Sequence, residues 1–137
     1  MHKPPQVPGH TSALNKIAAA LAIMVGASSI VAGGMAMRGW EPGYFVLNWL
    51  PVYNLIMGVL TVFIPAILIW RKSRYAMPTA IGTLSVHAVV LLVLIFAFRG
   101  IVATQSILAM VFRLVVWIII LGMMFSTHRK KDLQKYQ

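Results

Sequence analysis

The sequence predicts an all-α membrane protein, an up-down-up-down bundle of four transmembrane helices. Three observations carry that prediction. The 137 residues are 60 % hydrophobic and only 10 % charged, whereas soluble domains are about a quarter charged. The apolar residues gather into four runs, each about long enough to cross a hydrocarbon core of roughly 30 Å. Twelve basic residues stand against two acidic ones, for a formal net charge of +10, and they cluster at the ends of the apolar runs. That placement sets membrane orientation; it does not make a phosphate-binding face, so nucleic acid is not an expected partner.

Residues 1–11, with Pro4, Pro5, Pro8 and Gly9, are expected to form a flexible N-terminal arm outside the bundle. Ser12 is the expected N-cap of the first helix, its hydroxyl free to take up an amide of the first turn. The first span covers about 17–37. A basic start and small residues near Gly33 and Ala36 resemble a cleavable signal peptide, but the segment is expected to be retained as an anchor.

A loop over 38–48 follows, with Gly39, Pro42 and Gly43 as turn formers and Trp40 and Tyr44 as interfacial aromatics. The second span covers about 49–70. Pro51 suits its first turn, where a missing amide costs nothing. Pro65 lies inside the run and is expected to kink it, by removing one ladder bond and crowding the preceding turn. The third span covers about 77–98, with Pro78 in its opening turn. The fourth covers about 105–126. The four-helix domain is therefore read as 12–127 and the basic tail as 128–137.

Flanking charge gives the orientation. Lys3 and Lys16, then Arg71, Lys72 and Arg74, then Arg129, Lys130, Lys131 and Lys135 lie on one side. The other side has only Arg38 and Arg99, with Glu41 offsetting the first. Both termini are thus expected in the cytoplasm, in a multi-pass protein of the cell inner membrane.

Lipid tails are as apolar as leucine, so membrane helices associate through close backbone approach or polar bonds. Ala18, Ala22 and Gly26 recur at four-residue spacing, and Ser29 and Gly33 extend the stripe; a partner helix is expected on that face. A chain this small buries few polar groups alone, so self-association or other membrane subunits are expected beside the lipids.

Ionisable residues inside a membrane are costly and are functional candidates by default. His87 sits near the middle of the third span. Arg113 lies in the fourth, about eight residues or roughly 12 Å below its outer end. By the same count His87 is roughly 16 to 18 Å deep, within reach of a long arginine side chain. Tyr53 and Asn54 fall in the outer half of the second span, and Ser28 and Ser29 in the first. Asn54, His87, Arg113 and Tyr53 are therefore the candidate lining of a polar pocket open to the outer side. The two ionisable residues also have structural readings: Arg113 snorkelling to outer headgroups or bonding backbone carbonyls at a kink, and His87 satisfied by Thr83 or Ser85.

Several chemistries find no support. The only acids, Glu41 and Asp132, lie outside the spans, so cation coupling has no intramembrane carboxylate. The four histidines, at 2, 10, 87 and 128, make no metal cluster and no bis-histidine haem site. With no cysteine and no nucleophile–base arrangement, catalysis is not expected. The nine methionines are scattered rather than paired as copper transport requires. No metal or resident cofactor is expected; a bound lipid or quinone is left open.

PVYNLIMGVLTV in the second span, IWRKSRYAMPTA across the following turn, His87, and SILAMVFRLVVW in the fourth span resemble small bacterial four-helix membrane proteins of unknown function. The resemblance covers about half the chain and implies no activity. Small multidrug exporters place a glutamate in the first span, which is lacking here. The asparagine and phenylalanine arrangement of fluoride channels and the arginine-rich motif of membrane-associated glutathione enzymes are not found.

Three functions remain. The first is a non-catalytic accessory or scaffold subunit of a larger membrane complex, its basic tail docking on acidic surfaces or anionic lipid. The second is a small oligomeric transporter or channel built around an Arg113 and His87 pocket. The third is a lipid- or quinone-binding protein in which His87 or Tyr53 bonds a head group.

Overall fold

The computed structural model describes residues 10–136, with side chains from Ala13 onward. Four helices dominate it, each long and apolar enough to cross a membrane: α1 (His10–Met37), α2 (Leu50–Trp70), α3 (Ala76–Phe96) and α4 (Thr104–Gln134). This arrangement is consistent with a multi-pass membrane protein.

α2 and α3 match their apolar runs to within two residues, whereas α1 starts before its run and α4 ends after it. Residues 1–9 of the expected arm lie outside the described residues, but His10 and Thr11 already belong to α1. Ser12 is therefore inside the helix and is not its cap. No proline follows Pro8 until Pro42, so nothing in the backbone stops the helix from starting before its apolar part. α4 likewise runs through the basic tail to Gln134. At 1.5 Å per residue its 31 residues span roughly 46 Å, well beyond a core of roughly 30 Å.

Pro51 occupies the first turn of α2, where its missing amide is harmless. Pro65 sits within a π-helical turn, Val62–Ala66, and the helix continues on both sides of it. A π turn widens the backbone by one residue, which relieves the clash between the proline ring and the preceding turn. α2 ends with Ser73 N–H donating to the Leu68 carbonyl at 2.9 Å and Lys72 N–H to that of Ile69 at 3.1 Å. This six-to-one and five-to-two pair places Lys72 in the left-handed region at φ 54°, where glycine is usual.

α1 packs against α2 and α4, and α3 packs against α4 and the π turn of α2, closing a ring. Ala18, Ala22, Gly26, Ser29 and Gly33 are all buried. Gly33 and Gly58 let α1 and α2 touch backbone to backbone. A Cβ on Gly33 would stand 2.6 Å from the Pro51 carbonyl oxygen, and one on Gly58 would stand 2.7 Å from that of Gly26.

Two apolar clusters fill the ring. One gathers Ala18, Ala22, Ala66, Ile69, Ala80, Trp117 and Ile120; the small residues of α1 and α3 make room for the indole. The other gathers Leu47, Leu50, Leu94 and Met110, with Trp49 and Phe98 against them. The outward faces are apolar as well, including Ile56, Phe63, Val89, Phe96, Phe112 and Ile118, a pattern suited to hydrocarbon and not to water. Exposed Trp40 and Tyr44 precede α2, and exposed Trp70 and Tyr75 flank its end. The 21 residues between them rise roughly 31 Å, close to the thickness of a hydrocarbon core.

Candidate functional site

Between the two apolar clusters lies a layer of polar side chains. Each helix order shows it: Tyr53 and Asn54 between Leu50 and Ala66, His87 between Ala80 and Leu94, Arg113 between Met110 and Trp117. Consecutive helical residues point about 100° apart, so Tyr53 and Asn54 reach different neighbours. The Tyr53 hydroxyl lies 2.6 Å from His87 Nδ1 on α3. In the neutral ring protonated at Nε2 the hydroxyl donates this bond. The two rings meet edge to face, 5.9 Å apart at 85°, and Trp49 packs on the other side of Tyr53 at 6.3 Å.

Asn54 turns the other way. Arg113 Nη1 donates to Asn54 Oδ1 at 2.8 Å, spanning the ring from α4 to α2. A guanidinium has donors only, so the amide must present its oxygen. The four candidate residues are thus joined as two hydrogen-bonded pairs on adjacent positions of α2. His87 is 2 % exposed and Arg113 8 %.

The remaining candidates stay apart from the layer. The Ser28 and Ser29 hydroxyls both donate to the Val25 carbonyl of their own helix at 2.9 Å. Thr83 and Ser85 likewise donate back to the Thr79 and Ile81 carbonyls, so His87 is satisfied by Tyr53 and not by either of them. Arg113 is buried among the helices, with its Nη1 turned to Asn54.

A pocket of about 100 Å³ adjoins the Arg113–Asn54 pair, bounded by Ala32 and Ala36 of α1 and by Ser106, Ala109 and Met110 of α4. Alanines on both walls leave this space open. The pocket shares Trp40, Pro42 and Tyr44 with a wide vestibule of about 690 Å³ formed by the loop between α1 and α2. Ser106 and the loop aromatics were not anticipated as site residues. Ser106 is two turns before Arg113 on the same face, a seven-residue spacing that marks it in retrospect.

Among the described residues Arg113 has no ion pair, its one side-chain hydrogen bond is to Asn54, and no three His, Cys, Asp or Glu side chains converge on a metal position. Trp117, one turn beyond Arg113, is fully buried with its Nε1 donor unpartnered. No protein-family model matches the chain, and no curated protein or solved structure shows significant similarity to it.

Proposed function

We propose that the chain is a four-span inner-membrane protein with both termini in the cytoplasm, its helices running up-down-up-down. On this reading it binds a small anionic group at Arg113, entered from the side opposite the termini. The observation that carries the proposal is the buried Arg113 guanidinium, which adjoins an open pocket and, among the described residues, has the Asn54 amide as its one side-chain partner. A buried cation without counter-charge costs several kcal/mol, and an anion in the adjoining pocket supplies that charge. About 100 Å³ is room for roughly three waters, which suits a carboxylate or small oxyanion. The residues lining the pocket include no carboxylate and no base beside the Ser106 hydroxyl, which favours binding, as in a small transporter or channel, or the capture of an anionic lipid head group.

The test is thermal unfolding of the purified protein in detergent, titrated with acetate, phosphate, sulfate or chloride. At least one anion should raise the Tm of the wild type, and Arg113→Gln, which can still bond Asn54, should lose that rise. An equal rise in Arg113→Gln sinks the proposal.

A second reading, the non-catalytic accessory or scaffold subunit, is favoured by α3. Only 17 % of its span is buried, against 39 % for α1 and α4, so most of α3 is free to meet another membrane protein. Native mass spectrometry of gently extracted protein separates the two readings: partner chains at fixed ratio support the accessory role, and a lone homo-oligomer excludes it.

A further inference from the structure

A second site lies at the opposite end of the bundle. Asn15 of α1, Lys72 and Ser73 of the turn after α2, and Thr127, His128 and Lys131 of α4 line one recess of about 30 Å³. Asn15 and Thr127 line it from buried positions, and the Thr127 hydroxyl donates to the Met123 carbonyl at 3.0 Å. His128 and Lys131, three residues apart, project from one helical face. Asp132 is the one acid at this end, and among the described residues it pairs with none of these cations.

The cations here are not equivalent. Lys16 sits over the Trp70 ring at 5.8 Å and Arg74 over the Tyr75 ring at 4.8 Å, so both are engaged by aromatic faces. Lys72 instead adjoins the recess, held there by a left-handed backbone, φ 54°, that any residue but glycine or asparagine adopts at a cost. Positive charge for orientation alone can sit anywhere along this rim. It does not require a lysine at the one strained position of the turn.

We propose that this recess binds a phosphate group, presented by an anionic phospholipid of the leaflet facing the termini. The recess has the volume of one water. It therefore admits one phosphate oxygen to the Asn15 amide, the Thr127 hydroxyl being bonded to the Met123 carbonyl, and leaves the others at its mouth among Lys72, His128 and Lys131. Trp70 and Tyr75 mark the headgroup level at which a lipid phosphate lies. The proposal rests on the four-span reading but not on the Arg113 site.

The experiment combines native mass spectrometry and thermal unfolding of the full chain in detergent, with phosphatidylglycerol, phosphatidylcholine or inorganic phosphate added. The wild type should retain phosphatidylglycerol over phosphatidylcholine and gain Tm with it. Lys131→Gln and Lys72→Gly should each bind it about ten-fold more weakly, the loss of one charge-assisted hydrogen bond to the phosphate. Lys72→Gly should also unfold at an equal or higher temperature without lipid, because glycine removes the left-handed strain, so its lost binding is not damage. Arg129→Gln and Lys130→Gln, with cations outside the recess, should bind as the wild type does. A response to inorganic phosphate equal to that of the lipid keeps the site and assigns it to free phosphate. Equal losses in Arg129→Gln and Lys72→Gly, or no preference for phosphatidylglycerol and no phosphate response, overturn the proposal.

Discussion

Tyr53 holds the buried ring of His87 through one short bond of 2.6 Å, so its hydroxyl is the atom whose removal is most informative. Tyr53→Phe keeps the ring packing against Trp49 and deletes the donor, leaving the buried Nδ1 without its partner. The expected cost is about 1–3 kcal/mol, read as a lower Tm in detergent. Adding His87→Leu should recover part of the loss, because the orphaned nitrogen is then gone; strictly additive losses would show that the bond does not couple the residues. At this scale much was legible in the sequence. Ionisable side chains stand out inside apolar runs, and counting residues from the span ends put His87, Arg113, Tyr53 and Asn54 at similar depth. The pairing was not legible, since it depends on how each helix is rotated about its axis, and a depth count carries no rotation.

Among the elements, the contact between α1 and α2 is the tightest, and its glycines divide into two kinds. Gly33 and Gly58 face backbone atoms that cannot move aside, with prospective Cβ contacts of 2.6 and 2.7 Å. Gly122 on α4 has open space at the same position. Gly33→Ala and Gly58→Ala should each destabilise the bundle by about 1–3 kcal/mol or more. Gly122→Ala should be neutral or stabilise by up to about 1 kcal/mol through helix propensity. Detergent unfolding of the three variants checks this, and equal behaviour would refute the close α1–α2 contact. The α1 stripe was readable because Ala18, Ala22 and Gly26 repeat. Its counterpart Gly58 was not, being a lone glycine without a period. The helix ends escaped the sequence for a different reason: hydropathy marks where the chain is apolar, whereas α4 stays helical through Arg129 and Lys131, which are good helix formers in water.

For the whole molecule, orientation decides from which side each proposed site is reached, and the chain is well suited to testing it. It has no cysteine, so each introduced thiol is the only one available to a membrane-impermeant maleimide. Asn48 and Ile101 are exposed in the loops before α2 and after α3, and Arg74 and Lys130 are exposed at the other end. Asn48→Cys and Ile101→Cys should label in intact cells, whereas Arg74→Cys and Lys130→Cys should label only after permeabilisation. The physical basis is the excess of lysine and arginine near Arg74 and Lys130, since such charges resist transfer across the membrane. The exact reverse pattern would keep the four spans but place the Arg113 pocket on the cytoplasmic side, and with it the source of the anion. Labelling of Asn48→Cys and Ile101→Cys from different sides would remove the four-span topology itself, because an even number of crossings between those loops is what puts Arg113 and the vestibule at the same face.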